Sequence, residues 1–341
     1  DSVIKDSVLI EGGLIKAFGK KAIILANKLG IDSTQGKNKL LAPCLVDPHS
    51  FLEDPLTSRG EDLISLTKKA TLAGYGQLAL LPKGTTYRDR PELLKGLIEK
   101  KKDLLIHLWG GFSINGRGEE LTKHADLIEN DAIGLADNDS IIPIDLLRKG
   151  ILVGEIGTHP ILIAPRDQRI QGDGIIRECV ETLRAGWVPD PIESETIPLS
   201  QVLELQKQYP EIAFRLMNIS TSRGVKMIEQ SAHKPLSSVC WWHIIKDISL
   251  LSTTDIGWTM TPSIGSPIDR KSLIKGLEDG ILNAISVHST PLNNNDINQP
   301  SNERLKGISG YNLVLPLLWQ ELVVKEGWSI EKLWDAISFG P

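Results

Sequence analysis

At 341 residues, with 41% hydrophobic and 24% charged side chains, the chain can bury one large core or two and has the composition of an ordinary folded protein. A formal net charge of −5 argues against nucleic acid or an anionic membrane as the main partner, and no stretch approaches 18 consecutive apolar residues. The three Cys (Cys44, Cys179, Cys240) lie far apart with no Cys-x-x-Cys pair; they are read as small buried residues with reduced thiols, and the protein as cytoplasmic.

In chain order, 8–10, 14–18 and 22–25 predict a small meander that turns at Gly12-Gly13, a β-domain over residues 1–40. Eight apolar runs follow, at 41–46, 77–81, 104–108, 132–136, 161–164, 212–219, 236–240 and 284–287. Between them, 61–73, 93–101, 199–208, 224–231 and 270–279 carry apolar residues at helical spacing, and Gly74, Gly76 and Gly280 punctuate the helix ends. Strands alternating with helices predict an α/β fold, a parallel (β/α)8 TIM-like barrel over 41–341 with its functional face at the C-terminal ends of the strands. The polar stretch 292–304 reads as a long loop over that mouth, and 313–324 and 330–337 as terminal helices.

The chemistry-bearing segment is the first of these runs. LAPCLVDPHSFLEDPL is an apolar strand followed at once by Asp47, His49 and a Pro-bounded loop, the order in which a barrel strand delivers imidazoles to a metal pair. A strand projects residues i and i+2 to one side, so a second His is expected at position 51; Phe51 stands there.

With these positions placed, the chain resembles the dihydroorotase branch of the amidohydrolase superfamily over almost its whole length. The resemblance rests on Val46-Asp47-Pro48-His49-Ser50-Phe51, on Gly60-Glu61-Asp62, and on Ala73-Gly74-Tyr75-Gly76 leading into Leu81-Pro82-Lys83. It continues through Gly118-Glu119-Glu120-Leu121, Gly134-Leu135-Ala136-Asp137, Asn218-Ile219-Ser220-Thr221 and Gly307-Ile308-Ser309-Gly310. It implies the barrel of the metallo-dependent hydrolases with a small, partial β-domain, whose remaining strands are absent from this sequence, either because the protein is shorter than the family or because the chain is part of a longer one. It also implies a reaction in which one or two zinc ions lower the pKa of a bridging water and polarise a cyclic amide while an Asp shuttles the proton.

Carried over by that resemblance, the metal positions are degenerate. The first His is kept as His49 and the second is Phe51. The bridging carboxylate falls on Asp137, the strand-five His on Ala164, the strand-six His on Asn218, and the catalytic Asp on His288, with Ser289 after it. At the former substrate rim, Glu53 replaces a carboxylate-gripping Arg, Lys83 replaces an Asn, and Arg166 is a new charge; the three could pair and close the pocket. A structural zinc site is worth on the order of 10–16 kcal/mol, and losing three His ligands leaves none of useful strength.

The expectation is therefore a catalytically inactive, metal-free member that works as a binding or scaffold protein, with no cofactor. The resemblance suggests a link to pyrimidine biosynthesis, with aspartate transcarbamoylase as partner, and a homo-oligomer. The alternative is an active dihydroorotase, or another cyclic-amide hydrolase, with one zinc held by His49, Asp137, His243 and His288. Each residue also has a plain reading. His49 could be a hydrogen-bonded structural residue and Asp137 a turn or helix cap. Trp241-Trp242-His243, Trp109, Trp187 and Trp258 fit core packing as well as an aromatic-lined mouth.

Overall fold

Two Gly with positive φ, Gly12 (+57°) and Gly13 (+77°), let the chain reverse between Val8–Glu11 (β1) and Leu14–Phe18 (β2), which pair antiparallel in the computed structural model. The third strand expected at 22–25 is instead part of a helix, Gly19–Lys28. The reason is spacing: Ala22, Leu25 and Ala26 recur at three and four residues and pack together on Leu9 and Ala17. The structure describes residues 5–34, 36, 39–52, 62–84, 86–98, 104–251, 259–290, 292, 306–308 and 310–341. It separates into a unit of residues 1–43 and a unit of residues 44–341.

The second unit is the barrel. Its strands in chain order are β3 (Leu45–Ser50), β4 (Tyr75–Leu80), β5 (Leu105–Gly111), β6 (Ala132–Ala136) and β7 (Ile161–Ile163). A short side pair follows, β8 (Ile176–Arg177) with β9 (Pro189–Asp190), and then β10 (Phe214–Leu216), β11 (Leu236–Cys240) and β12 (Ala284–Ser286). Eight of them form one parallel sheet in the order β3-β4-β5-β6-β7-β10-β11-β12. Side chains and backbone complete the circle between β12 and β3. Asp47 accepts from the Val287 N–H at 3.0 Å, Ser289 N–H donates to Ser50 Oγ at 2.7 Å, and Phe51 N–H donates to Ser289 O at 2.9 Å. The eightfold alternation expected from the sequence is the fold.

Two expectations shift in detail. The first barrel strand begins at Leu45, not at 41, where Leu41 is 62% exposed; Asp47 and His49 therefore sit inside the strand rather than after it. Polar residues are tolerated there because each finds a hydrogen-bond partner within the barrel. Gly76 does not end a helix but lies within β4, where a Cβ would come 2.5 Å from Cys44 Sγ.

The helices start where side chains satisfy their first free N–H groups. Asp62 accepts from Ser65 N–H ahead of Leu63–Leu72, and Thr221 from Gly224 N–H ahead of Ser222–Gln230. Ser266 and Asp269 form a reciprocal capping box at the head of Pro267–Glu278. The helix at Ile144–Val153, between β6 and β7, was not among the segments singled out from the sequence. Most of the stretch 292–304 lies outside the described residues.

Candidate functional site

Strands β3, β10, β11 and β12 and the residues just after them bring five polar side chains together near the closure of the barrel. His49, 1% exposed on β3, has both ring nitrogens engaged: Nδ1 lies 3.2 Å from His288 Nδ1, and Nε2 lies 2.8 Å from Ser238 Oγ on β11. Two imidazoles meeting Nδ1 to Nδ1 hold one proton between them, one ring donating and the other accepting. Burial, and then the neighbouring His288, press the His49 pKa well below its ordinary value of 6.5. Ser238 Oγ also accepts from Asn218 N–H at 3.0 Å, and Asn218 Oδ1 accepts from Ser286 Oγ at 2.6 Å.

On its other side, His288 Nε2 lies 3.1 Å from Asp139 Oδ1. Arg166 Nη2 donates to the same oxygen at 2.6 Å, and Arg166 Nε donates to the Asp139 backbone carbonyl at 3.1 Å. Burial alone would raise the Asp139 pKa, but His288 and Arg166, with a smaller pull from Lys83, outweigh it and hold the carboxyl well below the usual carboxylate range. Asn218 (φ +55°) and His288 (φ +49°) both adopt left-handed backbone, so two of the cluster's members sit in a conformation that side chains disfavour.

Directly against this polar arc lies an apolar cluster of Phe51, Ala79, Leu81, Trp109, Ala136, Leu162, Ala164 and Met217, all buried. The Phe51 ring meets the His288 ring edge-on with centroids 5.4 Å apart. Trp109, its Nε1 donating to Pro48 O, is part of this packing, and Trp187 is half-buried on the segment leading to β9; Trp258 lies outside the described residues. Trp241 is buried and stacks edge-on against Trp242 at 5.0 Å.

Of the residues the sequence marked, the structure joins His49, His288 and Asn218 and sets Phe51 and Ala164 in the apolar cluster. Asp137 belongs to a different network, accepting from the Ser113 backbone N–H (2.9 Å), Ser113 Oγ (2.6 Å) and Tyr87 OH (2.8 Å). Burial raises its pKa to about 6, against the lowering effect of those hydrogen bonds. Buried His243 spends Nε2 on Ser263 O. Arg166 pairs with Asp139 rather than with Lys83, and Glu53 lies outside the described residues. Cys240 is buried, whereas Cys44 is exposed, since it precedes β3 rather than lying inside it.

Two members escaped the sequence reading. Asp139 stands two residues beyond Asp137 in Asp137-Asn138-Asp139, the motif the sequence marks by its first carboxylate. Ser238 carries no motif at all.

The donor set does not fit a zinc site. Among the described residues no group of three or more His, Cys, Asp or Glu side chains converges as a metal shell would require. Both His49 nitrogens are already bonded within the protein, and an aromatic ring and a methyl group occupy positions 51 and 164.

No family model matches the chain. A probable dihydroorotase-like protein of Synechocystis sp. is 30% identical to it, over 90% of this chain and 77% of that protein. A dihydroorotase of Carboxydothermus hydrogenoformans is 23% identical, over 99% and 79%. Among solved structures, the L-hydantoinase of Arthrobacter aurescens superposes with a TM-score of 0.80 at 15% identity, over 100% of this chain and 78% of that one. The inactive dihydroorotase-like domain of the Chaetomium thermophilum CAD-like multifunctional protein does so with a TM-score of 0.59 at 16% identity, over 88% and 78%. With a relative 30% identical over most of both chains, the chain belongs to the dihydroorotase family of the amidohydrolase superfamily.

Proposed function

We propose that this protein is a dihydroorotase-like barrel without ring-opening chemistry, metal-free, acting by binding or assembly. The observation that supports it is the state of His49: the one imidazole retained at a ligand position is bonded through both nitrogens, and Phe51 packs edge-on against its partner ring, His288. A hydrolase of this type needs a metal to make hydroxide available near neutral pH, and nothing in the cluster replaces it. Binding is favoured by two buried donors with no partner among the described residues, Arg166 Nη1 and Asn218 Nδ2, which a carbonyl, carboxylate or water oxygen would satisfy. A relative in the fold comparison is named as an inactive domain of a multifunctional protein. In line with it, we infer a scaffolding role in pyrimidine biosynthesis, with aspartate transcarbamoylase as partner, a homo-oligomeric state and a cytoplasmic location. Among the described residues no helix is long and apolar enough to cross a membrane.

The test combines turnover with metal analysis. Purified protein is assayed for dihydroorotate hydrolysis and for ring closure, with and without added zinc, beside metal quantification and co-elution with aspartate transcarbamoylase. The expected result is no turnover and less than one zinc per chain, with co-elution supporting the assembly role. Turnover that is abolished by His49→Ala would instead establish the one-metal hydrolase reading.

A further inference from the structure

At the opposite end of the barrel from the mouth is a cleft of about 550 Å³, below the N-terminal ends of β7, β10 and β11. Thr158 and Pro160 lead into β7, Ile212 into β10, and His233, Lys234 and Pro235 into β11, so three neighbouring crossovers form its walls. Its volume lies within the range of small-molecule sites, roughly 300–1,000 Å³.

The charge of this cleft runs against that of the chain. The protein carries a net −5, yet the lining holds Arg215, His233 and Lys234 and not one Asp or Glu. Among the described residues none of the three pairs with a carboxylate. Arg215 is half-buried on β10, and its guanidinium makes one long contact, Nη1 to the Pro341 carbonyl at 3.5 Å. Burial lowers the Arg215 pKa, because a partly desolvated cation is disfavoured. An anion seated on it would offset that cost.

From this geometry we infer that the cleft binds the phosphate group of a small phosphorylated metabolite, gripped by Arg215 and Lys234. Phosphate fits better than a lone carboxylate. It carries about −1.5 to −2 at pH 7, matching more than one cation, and a guanidinium fork bonds it through two parallel N–H groups. The remaining volume, beyond what one phosphate group fills, would take the organic part of the ligand, against Pro160, Pro235 and Ile212. The inference stands apart from the reading of the mouth, since the two sites share no residue.

Thermal unfolding would be followed against increasing inorganic phosphate, ribose 5-phosphate, and sodium chloride at matched ionic strength, for the native chain, Arg215→Gln and Lys234→Gln. We expect a saturable rise in Tm with phosphate ligands beyond that given by chloride, and an affinity on the order of ten- to a hundredfold weaker in each variant, the loss of one charge-assisted hydrogen bond. Tighter binding of the ester than of inorganic phosphate would assign the organic part to the cleft; equal binding would confine recognition to the phosphate. No rise beyond chloride, or a rise that both variants retain, would overturn the inference. If Arg215→Gln does not fold, Lys234→Gln carries the test, because Lys234 is exposed and supports no packing.

Discussion

His243 and Asp137 show how single buried groups give this protein a pH dependence of two opposite signs. Burial, relieved only in part by the bond to Ser263 O, lowers the His243 pKa to about 4 from its ordinary 6.5. Between those values the unfolded chain takes up a proton that the folded protein refuses, so stability falls as pH drops from 6.5 towards 4, by about 3 kcal/mol from this group. Urea unfolding across that window should show the decline, with a shallower slope in His243→Gln. Asp137 works the other way. Its folded pKa is raised to about 6 from 3.8, so the folded form holds a proton that the unfolded chain has released, and stability is lost as pH rises through that range. Asp137→Asn cannot lose that proton. Relative to the native chain, the variant should therefore gain stability on going from pH 4 to pH 7, by a change of about 3 kcal/mol in the difference between them. A pH-independent difference would show that Asp137 is not protonated in the fold.

Among the elements, a heavily cross-linked junction of the described residues is centred on Arg177. Arg177 on β8 reaches Asp190 on β9 at 3.1 Å and Ser220 beyond β10 at 2.9 Å, and within the helix Glu193–Gln208 it contacts Ser194 at 2.6 Å and Glu195 at 3.5 Å. Glu195 in turn accepts from Ser220 and Thr221 through backbone and side chain, at 2.5 to 3.2 Å. Every one of these groups is buried. Removing the cation strands two carboxylates in low dielectric, so Arg177→Met should cost about 3–5 kcal/mol, read as a lower urea midpoint at unchanged slope. A loss below about 1 kcal/mol would mean that the network is hydrated. This junction also explains why the sequence reading placed the helix start at 199 rather than 193. Ser194, Glu195, Thr196 and Pro198 do not follow an apolar stripe, and their burial is decided by Arg177 and the loop after β10.

For the whole molecule, Phe51, Trp109, Ala164 and Met217 make the barrel interior a packed apolar core at the level where the family resemblance puts metal ligands. If no site exists, zinc is a bystander to folding. At about 100 μM zinc the Tm should remain where it is without metal, whereas a site with a Kd near 1 μM would add about 2.7 kcal/mol of stability. Calorimetry of the chelator-treated protein with and without zinc decides between the two.

Much of this protein was legible in its residues alone. Eight apolar runs with helical segments between them specify a barrel because both signals are local: the period of a strand or helix depends on near neighbours in sequence. That positions 51, 164 and 218 carry Phe, Ala and Asn, where the family resemblance leads one to expect imidazoles, was equally visible, since a residue type needs no coordinates to be noticed. What only the tertiary structure decided was which polar groups meet. Asp139 rather than Asp137 faces His288, Ser238 closes on His49, and Arg215 lines one cleft with His233 and Lys234 below the strands, each across at least 18 residues of chain. Such pairings are set by the register of the sheet and the closing of the barrel, and a one-residue difference in register turns a side chain to the opposite face.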